Sequence, residues 1–417
     1  MKTTRPAFSA LGKSILALVA GGLLFASPAM AQDDEDKPQA TMTERVYKRL
    51  LQAQELLGEA NYADSLSKLR SIERMDLNEY ERALVLQTIG FVYAQQGQYP
   101  EAIKNFEACL ALNALPSAAQ QGMLYSLASL YMSQEMYSKT ISTLKRWLAN
   151  ETDPKPDAFI MMASSYASMN DYPSALPWAK KAVDGSPEPK ENWHQLLVAI
   201  YFELEQFGNA AGVLTRMVGY WPDNLRYWET LFGAYQQEQN DSQALATLNL
   251  AYANGLLTEE KKIINLVRMR MFMNLPFFAG DLLEKEMAGG RVQRNQKNLE
   301  LLLSAWTTAR EYDKAIAVID QLAPLKGDGE LYLQQAQLFN EKNDWQGVAQ
   351  SVQKALDMGG LKSTGKAYLL QGLAFSEQKK FSDAIASFRR AQQFEETRSQ
   401  ATGWIEYVNE QLQIRAS

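Results

Sequence analysis

Apolar and small residues recur along this chain at helical spacing, in pairs of segments joined by short polar turns. The clearest pair lies between residues 83 and 116, where the pattern falls on Ile89, Gly90 and Tyr93 before a turn at Gly97, and on Tyr99, Ala102 and Phe106 after it. Residues three and four apart lie on one face of a helix. The pattern therefore predicts two consecutive helices that face each other with their apolar sides.

The same residue pattern recurs along almost the whole chain. Its turn markers are Tyr62, Tyr99, Tyr137, Tyr172, Phe207, Asp241, Phe277, Tyr312, Trp345 and Phe381, and successive markers are 33 to 38 residues apart. Small residues follow most markers where the two helices cross, at Ala102, Ala175, Ala210, Ala244, Ala315 and Ala384. Only a small side chain lets two helices approach closely there. Because one hairpin cannot bury its apolar face alone, ten copies predict a stack of hairpins.

The period and the fixed offsets resemble the tetratricopeptide repeat, whose unit is about 34 residues long. Residues 83 to 116 match that pattern best, and Pro116 follows the second helix as the pattern requires. The resemblance implies an all-α, right-handed α-solenoid of about ten tetratricopeptide-like hairpins over residues 42–396. Residues 397–417 are expected to form a C-terminal capping helix. We expect irregular stacking or a break in the sixth and seventh units, because Asp241 replaces the turn aromatic and residues 275–280 lack a clean register.

The amino terminus predicts export. Three basic residues precede an apolar stretch from Ile15 to Ala26, which ends in a small-residue site at Ala31. This is typical of a secretory signal peptide over residues 1–31, cleaved after Ala31, with an uncleaved membrane anchor as the alternative. The charge run in residues 32–41 predicts an acidic disordered leader. The bacterial style of the signal favours the periplasm of a Gram-negative bacterium.

Charge and composition limit the classes of partner that this chain could bind. The signal carries three of the 42 basic residues, so the mature chain would hold 39 basic against 48 acidic residues, a net charge of −9. A chain this acidic has no general affinity for nucleic acid. No second apolar run is long enough to span a bilayer, so a cleaved chain would not be membrane-spanning. We expect proteins as partners, with no small-molecule substrate.

Few residues could carry chemistry. Cys109 is the one cysteine and is interpreted as a packing residue, since its place is taken by alanine in other units. His194, the one histidine, is expected at the surface or in a groove. Residues 360–366 resemble a phosphate-binding loop, but Ala367 replaces the required Ser or Thr, which favours a simple helix connection. Carboxylate pairs such as Glu284 with Glu286 are interpreted as solvated helix faces. The sequence predicts no enzyme, metal or cofactor.

The repeat resemblance also implies a binding groove. In tetratricopeptide arrays the first helices line a concave surface, and the positions carried over to this chain are Gln87, Phe91, Gln95, Tyr125, Met132, Gln195, Phe202, Glu229 and Gln236. A lining of Tyr, Phe and Gln suits a peptide, and exposed residues without a partner are the alternative. Met269, Met271 and Met273 in the seventh unit are interpreted as core, with an adaptable partner surface as the alternative.

The layout of signal, acidic leader, degenerate repeats and closing helix resembles the TtpC-type periplasmic repeat proteins of TonB, ExbB and ExbD systems. That resemblance implies a protein-binding accessory of energy transduction for outer-membrane uptake of iron complexes, with TonB, ExbB, ExbD or an outer-membrane receptor as partner. The alternative is an envelope assembly or secretion adaptor for outer-membrane, pilus or polysaccharide-export proteins.

Overall fold

The fold is a series of antiparallel helical hairpins, and the computed structural model describes residues 41–416. All regular elements in that range are helical, so the prediction of an all-α solenoid with a C-terminal helix is confirmed. The chain divides into two compact units between Pro222 and Asp223. The predicted signal peptide and most of the acidic leader lie outside the described residues.

The first unit contains five hairpins. Its helices are α1 (Glu44–Gly58), α2 (Tyr62–Glu73), α3 (Glu79–Gln95), α4 (Tyr99–Ala111), α5 (Ser117–Ser133), α6 (Tyr137–Leu148), α7 (Pro156–Ser168), α8 (Tyr172–Gly185), α9 (Glu191–Glu203) and α10 (Phe207–Tyr220).

The second unit contains five more hairpins and the closing helix. Its helices are α11 (Leu225–Gln237), α12 (Asp241–Ala253), α13 (Glu260–Phe272), α14 (Pro276–Ala288), α15 (Gln296–Thr308), α16 (Tyr312–Lys326), α17 (Glu330–Glu341), α18 (Trp345–Met358), α19 (Thr364–Glu377), α20 (Phe381–Ala391) and α21 (Arg398–Ala416). A short 3₁₀ turn at Glu395–Thr397 precedes α21.

One turn geometry joins the two helices of every hairpin. The residue two places before the first residue of each second helix has a left-handed backbone, with φ between 55° and 72°, and these residues are Ala60, Gly97, Glu135, Asn170, Glu205, Gln239, Asn274, Arg310, Asn343 and Lys379. The next N–H then bonds back to the first helix, as Gln98 N does to Tyr93 O at 2.9 Å. Only Gly97 adopts this backbone without a steric cost. Packing of the two helices, rather than turn preference, therefore sets most of these turns.

The predicted small residues lie where the helices cross. All six alanines named above are fully buried. Gly90 has the same purpose in α3, since a Cβ there would lie 2.3 Å from the ring of Phe106 in α4. Cys109 is also fully buried, which confirms its interpretation as a packing residue. At these helix crossings, a small residue on one helix therefore leaves space that an aromatic or alkyl side chain fills.

The sixth and seventh hairpins form complete helices. Asn240 caps α12 by accepting from Gln243 N at 3.2 Å, so Asp241 opens that helix as a tyrosine does elsewhere. Pro276 lies in the first turn of α14, where its missing N–H costs nothing. Both helices therefore begin without an aromatic residue at their first position, and the expected irregular stacking of the two units stays a prediction. The division between the compact units falls just before α11.

The closing helix packs on the last hairpin. Ala401 and Val408 of α21 are fully buried against Phe388 and Ala391 of α20. Residues 359–363 connect α18 to α19, and the side chain of Ser363 caps α19. This confirms that the glycine-rich segment is a helix connection. No helix of the described residues has the length and apolar character needed to cross a bilayer.

Candidate functional site

Three of the predicted groove residues are aromatic rings on first helices of the first unit. Phe91, Tyr125 and Phe202 lie on α3, α5 and α9, and each is partly buried. Each ring meets an aromatic of the second helix at a steep angle: Phe91 meets Phe106 at 5.1 Å, Tyr125 meets Trp147 at 5.3 Å, and Phe202 meets Phe207 at 5.6 Å between ring centroids. Such edge contacts fix ring orientation. The exposed parts of the three rings are therefore held in place before any partner arrives.

The polar groove residues of the first unit lie on α3 and α9, the same helices as Phe91 and Phe202. Gln95 and Gln195 are exposed, and Gln87 is half-buried. An amide side chain both donates and accepts, so it can bond to either group of a partner backbone. Met132 differs, because it is only 7% exposed and packs with Leu124 and Ala128 in the core. It offers little surface to a partner.

Glu229 and Gln236 lie on α11 in the second unit. Both are exposed, and Glu229 pairs with Lys262 of α13 at 2.9 Å. This carboxylate is the first cause that holds the pKa of Lys262 above its usual range. Glu229 and Gln236 belong to a different compact unit from Phe91, Tyr125 and Phe202, so they form a separate surface.

A cavity that the sequence did not predict lies between α19 and α21 in the second unit. Its volume is about 880 Å³. Its apolar wall is formed by Leu369, Leu373, Phe381, Trp404 and Tyr407. We call this cavity the terminal cleft. Its two sides come from the last first helix and the closing helix, so α21 contributes to a surface as well as covering the last hairpin.

Two aromatic rings form a corner in the terminal cleft. Trp404 lies over Phe388 with centroids 6.0 Å apart and planes 11° apart, so the buried Phe388 supports one face of the indole. Tyr407 meets Trp404 almost at a right angle, 89°, at 5.6 Å. Trp404 is 37% exposed and Tyr407 is 48% exposed. Two large, oriented rings are thus available at the surface on a supported base.

The polar part of the terminal cleft consists mainly of neutral groups. Ser376, Ser399, Gln400 and Gln411 supply hydroxyls and amides, and Glu377 and Lys379 supply one charge of each sign. The side chains of Glu377, Lys379, Gln400 and Gln411 bond to no other described residue. Their hydrogen-bonding capacity is therefore free for a ligand or for water.

A sequence signal for the terminal cleft did exist. Trp404 follows Leu369 by 35 residues, which is the repeat period, so the closing helix continues the register of the first helices. From the sequence, residues 397–417, which include Trp404, are predicted only as a capping helix. A helix that covers one surface can line another at the same time.

Two chemical expectations need correction. His194 is 3% exposed, not at the surface, because its Nδ1 lies 2.9 Å from Lys190 O and its ring packs edge-on against Tyr220 and Trp221. Glu286 is 1% exposed rather than solvated, because Tyr252 and Arg291 both donate to its carboxylate. The backbone carbonyl at the start of its own helix satisfies His194, whereas Tyr252 of α12 and Arg291 just after α14 satisfy Glu286, and helical periodicity alone reveals neither arrangement.

The methionine segment is partly core. Met269 is 8% exposed, and Met271 and Met273 are half-buried, in agreement with the interpretation as packing residues. Phe272 between them is 70% exposed. The apolar surface at this turn therefore comes from Phe272 rather than from the methionines.

Residues 83–114 match the tetratricopeptide repeat family. No curated protein matches the chain. Among solved structures, a tetratricopeptide repeat protein from Parabacteroides merdae is 13% identical, with 63% of this chain and 99% of that chain covered and a TM-score of 0.37. MamA from Desulfovibrio magneticus is 18% identical over 44% of this chain and 99% of its own, with a TM-score of 0.36. At these values the similarities do not bear on function.

Proposed function

We propose that this chain is a protein-binding scaffold, and that the first-helix aromatic row Phe91, Tyr125 and Phe202 of the first unit holds the partner. The observation that carries the proposal is the fixed, partly exposed orientation of these three rings. Oriented aromatic side chains bind peptides at low entropic cost, because little rotamer freedom is lost on contact. The repeat to which residues 83–114 belong is a module that binds proteins and peptides.

The finer proposal places this scaffold in the periplasm, as an accessory of a TonB-type system for uptake of iron complexes or similar nutrients. Its support is the sequence layout: the export signal, the acidic leader, the repeats and the closing helix. A scaffold of this kind would hold TonB, ExbB, ExbD or an outer-membrane receptor through several weak contacts. Contacts spread over one chain raise the apparent affinity without any single strong site.

The test is in-cell crosslinking of the carboxy-terminally tagged protein under iron starvation, followed by mass spectrometry. We expect TonB, ExbB or ExbD above a tagged control, and we expect their loss when Phe91, Tyr125 and Phe202 are all replaced by alanine. Tyr220→Ala is the matched control, because Tyr220 is an exposed aromatic on a second helix of the same unit. Circular dichroism of each variant checks that helical content is retained.

The outcomes separate the proposals. Recovery of outer-membrane assembly or secretion components instead would make the chain an envelope adaptor and would end the TonB proposal. Recovery of the same partners by the triple variant would show that the aromatic row is not the binding surface. Recovery of no protein above the control would contradict the scaffold function itself.

A further inference from the structure

We infer that the terminal cleft between α19 and α21 is a second docking site, which binds a short extended segment of a partner protein. One uncharged apolar side chain of that segment lies in the corner formed by Trp404 and Tyr407. The inference rests on the proposed scaffold function and adds to it a site in the other compact unit. The predicted groove residues do not line this cleft.

The lining chemistry favours a peptide. Trp, Tyr, Ser, Gln and Gly form most of one side of the cleft, at Ser399, Gln400, Gly403, Trp404 and Tyr407. Surfaces that bind proteins use this combination, in which rigid aromatic rings supply contact area and small polar side chains adapt their hydrogen bonds. Trp and Tyr are also the residue types that most often dominate binding energy. A lipid surface would require a larger apolar or basic face than this cleft offers.

The charges determine the kind of anchor. Glu377 and Lys379 are the charged groups of the lining, and both lie at the carboxyl end of α19 and the turn that follows it. The aromatic corner itself contains no charge. Burying a charged side chain there would cost several kcal/mol without a partner for it. The anchor of the bound segment is therefore an aliphatic or aromatic residue, and charged residues of the segment fit only near Glu377 and Lys379.

The free amides favour an extended segment over a helix. A helix satisfies its own backbone N–H and C=O groups, and it would leave the amides of Gln400 and Gln411 unpaired when it covers them. An extended segment presents unpaired backbone groups to both amides and to the hydroxyls of Ser376 and Ser399. The side-chain donors and acceptors of the cleft can therefore bond to the backbone of an extended segment, and the corner of the two rings can hold one of its side chains.

The experiment selects random short peptides, displayed on phage, against the full-length protein, with a Trp404→Ala, Tyr407→Ala double variant as counter-selection. We expect enriched peptides to share one aliphatic or aromatic position within an uncharged centre. Their synthetic, fluorescein-labelled forms are then titrated by anisotropy. Trp404→Ala and Tyr407→Ala should each weaken binding by at least about tenfold.

Controls keep the test independent of folding. Because Trp404 supports part of the last hairpin, a Gln400→Ala, Gln411→Ala double variant removes only the free amides, and it should weaken binding by about threefold or more. Leu412→Ala is the matched control on α21, since Leu412 is exposed and does not line the cleft. It should leave binding unchanged.

Three results would overturn the inference. The first is no enrichment over the double variant, and the second is enriched peptides that bind all cleft variants equally. The third is enriched peptides that lose binding when a central residue becomes proline and gain helical content on binding, which would show a helical ligand. Each of these results leaves the scaffold proposal standing, because that proposal is tested separately by the loss of crosslinked partners in the aromatic-row variant.

Discussion

Hairpin α3–α4 and hairpin α13–α14 reach the same architecture with different residues. In the first, Gly90 of the first helix lies under Phe106 of the second helix of the same hairpin. In the other, Gly280 of α14 lies under Trp306, which belongs to α15 in the next hairpin. The glycine permits close approach in both cases, but the aromatic partner comes from a different place. The match to the tetratricopeptide repeat family covers residues 83–114, in the first of these hairpins.

The comparison shows what the fold needs and what it does not. Each crossing needs one missing side chain and one large side chain that fills the space. Either helix can supply the small residue or the large side chain, as long as the two residues are in contact. A fixed-offset pattern therefore matches residues 83–116 well and residues 275–280 poorly, although both hairpins are helical.

The largest expected effect is at the tightest crossing. A Cβ at Gly90 would lie 2.3 Å from Phe106, against 2.9 Å from Trp306 at Gly280. Gly90→Ala should therefore destabilise the protein by about 3 kcal/mol, more than Gly280→Ala, because the buried ring has to move. Gly122→Ala is the control, since no atom lies within 4 Å of that added carbon. It should stabilise α5 by about 0.5–1 kcal/mol. Urea denaturation followed by circular dichroism measures all three, and equal losses at Gly90 and Gly122 would contradict the account.

The second-largest expected effect concerns the α13–α14 hairpin, where the carboxylate of Glu286 is buried. Arg291 Nη2 donates to Glu286 at 2.7 Å, and the hydroxyl of Tyr252 donates at 2.5 Å. Burial, followed by the hydrogen bond to Glu286, raises the pKa of Tyr252, so its hydroxyl stays a donor at neutral pH. Arg291→Ala leaves the carboxylate short of a cation, and we expect a loss of about 2 kcal/mol, since Arg291 is partly exposed.

Two variants test that interpretation. Adding Glu286→Gln to Arg291→Ala should recover part of the loss, because the uncompensated charge is removed. Lys48→Ala breaks the exposed pair with Glu44 and should change stability by no more than about 0.5 kcal/mol. A loss at Lys48 as large as that at Arg291 would mean that burial of the carboxylate does not matter.

The third effect is pH dependent and concerns the start of α3. Burial by itself raises the pKa of Glu81, but hydrogen bonds from the N–H and hydroxyl of Thr43 and from Asn78 N–H outweigh it and hold the pKa below 4.5. Because the folded state favours the carboxylate, this stabilisation is present above pH 4.5 and is lost as the pH falls through the lowered folded pKa. Glu81→Gln should cost about 1.5 kcal/mol at pH 7.

The measurement compares wild type and Glu81→Gln by urea denaturation from pH 7 down to pH 3. The gap between the two proteins should close at the acid end. Hydrogen exchange in α1 should respond first, since Thr43 precedes that helix. A gap that stays constant over this range would rule out the charge of Glu81 as its source.

The smallest effect concerns the thiol in α4. Burial raises the pKa of Cys109 to about 12, and its Sγ donates to Ala83 O at 3.1 Å. Equivalent places in other second helices hold the fully buried Ala182, Ala251 and Ala355. Cys109→Ala should therefore cost only about 1 kcal/mol. The native thiol should resist maleimide at pH 8 and react after unfolding, as read by intact mass. Rapid labelling of the native protein would contradict the packing role.

The sequence was a good guide to the repeated parts and a poor one to their exceptions. Periodicity predicted the hairpins, the alanine crossings and the closing helix, because each is a local pattern that every unit repeats. It did not reveal that His194 and Glu286 are buried, since their burial depends on contacts with Tyr220 and Trp221 and with Tyr252 and Arg291. Of the ten left-handed residues in the hairpin turns, one is glycine and three are asparagine, so six turns lack both of the usual residues.

The candidate site residues were likewise predicted only in part. Fixed offsets placed Phe91, Tyr125 and Phe202 on first helices, where they are partly exposed. They also placed Met132 in the groove, although packing with Leu124 and Ala128 takes it into the core. The repeat period also places Trp404 in register with Leu369, but it does not reveal that Trp404 stacks on Phe388 and so lines a cleft.

Site-specific photocrosslinking in the native cell tests the central claim most directly. A photoreactive residue is placed at Gln95 and, in separate strains, at Gln195, both exposed on first helices, and at Ala108, which is exposed on the second helix α4. The scaffold account predicts partner adducts from Gln95 and Gln195 and none from Ala108. Adducts from Ala108 alone would move binding to the second-helix face, and no adduct from any position would contradict the claim that the first unit binds a protein.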